Sequence, residues 1–160
     1  MAGNETLRNA IPGGMLCLLE HPDEHRRLLA DPSLLPGAVD EMLRYASPVM
    51  CFRRTASDGT ELAGVPIAAG DKVVVYYASA NRDETVFRDA DRFDVGRSPN
   101  EHLSLGTGPH FCLGAHLGRL QMRIFFEELL WRLPAMELAG PVERLASNFQ
   151  SGIKRMPVSY

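Results

Sequence analysis

Leu105-Gly106-Thr107-Gly108-Pro109-His110-Phe111-Cys112-Leu113-Gly114 is the stretch from which this 160-residue chain is best read. It sets one cysteine at the junction between a glycine-rich loop and the longest uninterrupted helical pattern in the sequence. In that pattern Leu117, Leu120, Ile124, Phe125, Leu129 and Leu130 recur on one broad face until Leu133-Pro134. A helix starting here turns its first N–H groups and the positive end of its dipole toward the sulfur, and the glycines let backbone approach it closely. Both favour a thiolate over a thiol, the form that serves as nucleophile or metal ligand. The pattern predicts this helix as the organiser of the core.

Upstream, residues 2–21 carry Leu7, Ile11, Met15, Leu18 and Leu19 at helical spacing, with Pro12-Gly13-Gly14 in the middle predicting a kink or split. Pro22-Asp23-Glu24 opens a second helix that Asp31-Pro32 closes, and a third is expected from about Pro36 to Tyr45. Between Pro48 and Tyr77 the texture turns β-branched and aromatic, with turn signals at Asp58-Gly59 and Ala69-Gly70-Asp71. The expected strands there are Val49–Ala56, Val65–Ile67 and Lys72–Tyr76. From Asn81 to His102 a polar, weakly periodic run predicts an irregular meander anchored by Phe87 and Phe93. Short strands around a Ser151-Gly152 turn close the chain. The fold class is therefore mainly α with small β-sheets (α+β), in a single domain over residues 1–160.

Net charge is −3, and neither sign is gathered into a block, which argues against a nucleic-acid or anionic-membrane partner. Cys17, Cys51 and Cys112 fit neither a disulfide framework nor a paired zinc motif, so a reducing, cytoplasmic setting is expected. No apolar run reaches membrane-spanning length, and Met1-Ala2-Gly3-Asn4-Glu5-Thr6 lacks the basic and hydrophobic parts of a secretion signal. The expectation is a soluble, unexported chain.

The order Gly-x-Gly-x-His-x-Cys-x-Gly over residues 106–114 resembles the haem-ligand loop of cytochromes P-450. Leu105 stands where that family usually has phenylalanine, which keeps apolar cover near the sulfur. The resemblance implies that Cys112 ligates the iron of haem b as a thiolate and pushes electron density toward O–O cleavage. It places Leu105, Gly106, Phe111 and Gly114 around the cofactor, and Arg54, His102 and His110 on its carboxylates through charge-assisted hydrogen bonds.

Three further segments stand in the family order. Glu41-Met42-Leu43-Arg44, followed by Tyr45-Ala46-Ser47-Pro48, resembles the family's Glu-x-x-Arg helix. It implies an ion-pair network of Glu41 and Arg44 with the meander, Arg92 being the expected third member and Arg97 the runner-up. Ala2-Gly3-Asn4-Glu5-Thr6 resembles the oxygen-activation segment, with Glu5 and Thr6 as the proton-delivery pair. Ala2, Val49 and Met50 would border the substrate.

The resemblance thus implies the C-terminal, haem-binding part of a soluble bacterial-type cytochrome P-450 that begins inside the central oxygen-activation helix. The parent would insert one oxygen atom from dioxygen into a small apolar molecule such as a steroid or lipid, with electrons from a ferredoxin or flavoprotein reductase. Two other readings stand beside it. The chain is a non-catalytic fragment that self-associates through uncovered apolar surface and binds haem weakly or not at all. Alternatively, Cys112 is a nucleophile in a phosphatase-like loop with Arg119 as its phosphate anchor.

Overall fold

The computed structural model describes residues 2–160. Its elements are α1 (Ala2–Glu20), α2 (Pro22–Ala30), α3 (Leu35–Ala46), β1 (Cys51–Thr55), β2 (Thr60–Leu62), β3 (Val65–Ile67), β4 (Lys72–Tyr76), α4 (Tyr77–Ala80), α5 (Ala115–Arg132), β5 (Glu137–Leu138), β6 (Glu143–Arg144), β7 (Ile153–Arg155) and β8 (Val158–Ser159). All sheets described are two-stranded and antiparallel, pairing β1 with β4, β2 with β3, β5 with β8 and β6 with β7. The mixed α+β class is as expected.

Helix α3 sits between α1 and α5 and supplies Ala38, Val39, Met42 and Leu43 to a core completed by Leu18, Leu28, Phe93, Val95, Met122 and Phe126. A close three-helix approach explains the glycines of α1. A Cβ on Gly14 would fall 2.9 Å from Met42 Sδ and 3.0 Å from the Phe126 ring, and one on Gly13 would fall 2.9 Å from Ala46 Cβ. The expected break at Pro12 does not occur, and α1 runs unbroken through Pro12. Proline removes one N–H from the helix, and the carbonyl it would have met belongs to Arg8, an exposed residue where water can replace the bond. Packing on two sides holds the rest.

α3 ends where Ser47 enters the left-handed region (φ 42°, ψ 67°), its N–H bonded to the Leu43 carbonyl, just ahead of Pro48. Pro48 leads into β1, shorter than expected because Val49 forms an isolated bridge to Gln150 instead of joining the β1–β4 ladder. β3 and β4 have the expected bounds, whereas β2 and the short α4 carry little pattern of their own. Residues 81–107 contain no regular helix or strand.

The largest departure concerns α5. Its buried residues are Ala115, Met122 and Phe126, while Leu117, Leu120, Ile124 and Phe125 are exposed. The helix is apolar on more than one side, so periodicity alone could not choose the inward face. The recess above Gly14 chose it, because it admits the Phe126 ring.

Candidate haem-thiolate site

The thiol loop is built from glycines. Gly106 and Gly108 have φ of 71° and 64°, in the region that side chains disfavour. Gly106 donates to the Leu103 carbonyl at 2.8 Å, Phe111 to Gly108 at 3.0 Å, and Cys112 N–H to the Leu105 carbonyl at 2.9 Å. The Cys112 carbonyl accepts from Ala115 at 3.2 Å, which joins the loop to the first turn of α5. The result is a closed, backbone-bonded loop with Cys112 exposed. Leu105 is half-buried beneath it, and Phe111, Leu113 and Leu117 stand exposed beside it, Leu113 completely so. Cys17 is the opposite case: burial, reinforced by the nearby Glu20 and Glu41 carboxylates, pushes its thiol up to about 12.

No group of three or more His, Cys, Asp or Glu among the described residues could hold a metal ion. An exposed sulfur with an apolar surround suits a flat, largely apolar cofactor. Arg54 lies exposed on β1, bonded to the Arg53 carbonyl and above the Phe52 ring, and His110 lies exposed on the 3₁₀ turn at Gly108–His110. Neither is paired with a carboxylate among the described residues, so both fit as anchors for cofactor carboxylates.

His102 does not fit that role. Its side chain is 2% exposed, its Nδ1 accepts from Ser104 N–H at 3.2 Å, and its Nε2 lies 3.1 Å from Asp40 Oδ1. A ring whose Nδ1 accepts carries its proton on Nε2, and that proton is donated to Asp40. No donor is left for a cofactor. The expectation that His102 grips a carboxylate outside the protein is thereby corrected: the carboxylate it grips is internal.

Arg119 shares that same oxygen, donating from Nε to Asp40 Oδ1 at 2.7 Å. Burial alone would raise the Asp40 carboxyl, but hydrogen bonds from His102 and Arg119 outweigh it and hold the group below its ordinary range. Arg119 thus directs its Nε to an internal carboxylate, and the geometry lends the phosphatase-like reading no support.

Glu41 and Arg44 meet as a bidentate pair, both fully buried, at 2.7 and 2.9 Å. Arg44 also donates to the carbonyls of Asn81, Ala90 and Arg92. The second cation on Glu41 is Arg97, whose Nε lies 3.2 and 3.1 Å from the two carboxylate oxygens. This corrects the choice of Arg92, which contributes its carbonyl to Arg44 and Arg97 while its guanidinium reaches Glu24 at 3.4 Å. Asp94 N–H and Asn100 Nδ2 complete the shell around Glu41. Sequence reasoning also missed Asn81, fully buried, which donates to Ser47 and Ser104 hydroxyls and accepts from Leu103 N–H. A lone asparagine in a polar run gives no signal of this.

Of the remaining expected residues, Glu5 is exposed and pairs with Arg8 at 3.7 Å, and Thr6 beside it is half-buried. Ala2 begins α1, and its side chain lies outside what is described. Val49 is buried, and Met50 is half-buried, lining a cavity of about 330 Å³ with Cys17, Tyr45, Arg82 and Arg144. Gly114 caps the N-terminus of α5.

The structure thus sets an exposed thiol on a glycine-built loop ahead of a long helix, with a buried Glu-x-x-Arg pair on the central helix α3. The chain belongs to the cytochrome P450 family, whose sequence model matches residues 1–136. It is 50% identical over 157 residues to putative cytochrome P450 126 of Mycobacterium tuberculosis (98% of this chain, 38% of that protein). It is 48% identical over 158 residues to linalool 8-monooxygenase of Pseudomonas putida (99% and 39%) and 45% identical over 162 residues to steroid C26-monooxygenase of Mycolicibacterium smegmatis (100% and 40%). The chain thus spans about two fifths of the length of these relatives. Among solved structures it is similar to P450BioI in complex with an acyl carrier protein bearing hexadec-9Z-enoic acid. That match has a TM-score of 0.96 at 40% identity, covering 99% of this chain and 42% of the other. A Mycobacterium marinum cytochrome P450 in complex with pseudoionone matches at a TM-score of 0.95 and 46% identity (99% and 39%). Among the described residues no helix is long and apolar enough to cross a membrane.

Proposed function

We propose that residues 1–160 act as one unit, the C-terminal haem-binding portion of a P450 fold, and that Cys112 holds the iron of haem b in a monooxygenase acting on a small apolar substrate. The observation that carries this reading is the exposed Cys112 at the tip of a rigid, glycine-built loop with apolar side chains beside it. Haem, when bound, supplies dioxygen activation. The chain's own part is to present one sulfur, to seat an apolar disc against Leu105, Phe111 and Gly106, and to meet peripheral carboxylates with Arg54 and His110. Glu5 and Thr6 would pass protons from solvent toward the oxygen side, a task suited to an exposed carboxylate beside a half-buried hydroxyl. Electrons would come from a ferredoxin or flavoprotein reductase. Relatives named for linalool, methyl-branched lipid and steroid oxidation support an apolar terpenoid, lipid or steroid substrate.

The test is reconstitution with haemin followed by a pyridine haemochrome assay and a ferrous-carbonyl spectrum. One haem per chain and a thiolate-type Soret band, both lost in Cys112→Ser, are the expected results. Haem uptake unaffected by Cys112→Ser would refute the assignment. A second reading has its own support in the exposed Leu113, Leu117, Ile124 and Trp131: the chain self-associates and is not catalytic. Light scattering that shows oligomers, together with absence of a Soret band, would favour it.

A further inference from the structure

We infer that Asp40 is a positioning residue for the Cys112 loop, clamping both of its flanks with a single oxygen. The inference rests on the reading of Cys112 as the ligand, but its geometry is independent of haem. His102 precedes the loop and Arg119 follows it on α5, and both donate to Asp40 Oδ1, at 3.1 and 2.7 Å. Asp40 itself stands on α3, next to the buried Glu41. The span from 102 to 119, with Cys112 inside it, is therefore closed by one carboxylate fixed to the central helix.

The two ends of the clamp differ in what else holds them. The His102 side has further anchors: Ser104 Oγ donates to the Leu43 carbonyl at 2.6 Å, and Leu103 N–H donates to Asn81 Oδ1 at 2.8 Å. On the α5 side, Arg119 is the only residue of the first turns with a side-chain hydrogen bond to another element among the described residues. Leu113 and Leu117 are exposed, and before Met122 only the small Ala115 side chain is buried. The segment from Leu113 to Gly118, which fixes the direction of the thiol loop, thus relies on Asp40 more than the preceding segment does. A charge-assisted bond of this kind resists local opening without adding to global stability in proportion.

Hydrogen exchange on the haem-free chain, comparing wild type with Asp40→Ala and Arg119→Gln, tests the clamp. Loss of one charge-assisted bond predicts about tenfold faster exchange in peptides spanning 111–119, with core peptides of α1 and α3 unchanged. Asp40→Asn, which keeps an acceptor oxygen, is expected to restore part of the protection. In haem-reconstituted Asp40→Ala the ferrous-carbonyl band is expected to divide between thiolate-type and thiol-type positions. Exchange at 111–119 that is unchanged in both variants, or that rises only in step with the core, would overturn the inference. Arg119→Gln, at a partly exposed position, covers the case in which Asp40→Ala does not fold. If wild type takes up no haem, the ligand reading fails while the exchange comparison still decides whether the clamp exists.

Discussion

Around Arg44 each of the guanidinium's five N–H groups meets an oxygen of the protein, and the pair it forms with Glu41 is sealed from water. Around Cys112 three backbone hydrogen bonds, from the N–H groups of Gly106, Phe111 and Cys112, close the loop, yet the side chains Phe111, Cys112, Leu113 and Leu117 face outward. One region is finished by its own chain; the other presents chemistry to something beyond it. A buried ion pair is tolerable only when every donor and acceptor is met, and the irregular run 81–100 supplies carbonyls that accept from Arg44 and the Asp94 N–H that donates to Glu41. The meander's lack of regular structure is thus what frees its carbonyls for Arg44. The thiol loop uses backbone for rigidity and leaves the side chains for a partner molecule.

The largest contrast should appear in thiol chemistry. In a Cys51→Ser background, iodoacetamide should modify Cys112 in the folded chain and leave Cys17 untouched until denaturant is added, as burial and a thiol raised to about 12 require. Equal labelling of both by mass spectrometry would erase the contrast. Next, Arg44→Met should cost about 3–5 kcal/mol in urea unfolding, because it strands the Glu41 carboxylate in the core. Arg44→Lys should recover little of this, since an ammonium cannot span Glu41 and three carbonyls at once.

Within α5 the comparison sharpens further. Phe126→Ala, at a fully buried ring against Gly14, should cost about 3–5 kcal/mol. Leu117→Ser, on the exposed side, should stay within about 0.5 kcal/mol and reduce self-association in light scattering. A large cost at Leu117 would mean that the outward face is packed after all. The smallest effect is electrostatic. The Asp40 and Asp94 carboxyls would be raised by burial, but the donors around them hold both below their ordinary 3.8. Their contribution is fully present above that value and is lost as pH falls through the lower folded value. Acid unfolding of Asp40→Asn should accordingly show a shallower loss of stability below pH 3.8 than wild type. An identical acid limb in the two proteins would count against the Asp40 clamp.

Elements marked by local chemistry were legible in the sequence. Pro22 announced α2, β-branched texture between turn signals announced β3 and β4, and Glu41 and Arg44, three apart, announced their own pairing. The features that depend on what comes to lie opposite were not. Pro12 looks like a breaker until α3 and α5 are seen to support the helix around it. The outward turn of Leu117 and Ile124 follows from the recess at Gly14, far away in sequence. Arg92 and Arg97 lie on the same meander, and only its path decides which guanidinium reaches Glu41. His102 reads as a free base until Asp40 and Ser104 are found on its two nitrogens. Periodicity reports what a segment can bury, whereas the tertiary path decides what it does bury.

Gly14, at the crossing of α1 and α5, acts as a gauge block. A Cβ there would fall 3.0 Å from the Phe126 ring, so the two helices are spaced at that point by a position that carries only hydrogen, whereas a Cβ on Gly118 would make ordinary contact with Leu7 at 3.9 Å. Thr6 is the neighbour of Leu7 on one helix, and the Cys112 loop runs directly into the other. The separation between those two stations is thereby machined into the scaffold at a place that touches neither. A single methyl group added at residue 14 would reset it, altering an alignment without altering any of the parts aligned.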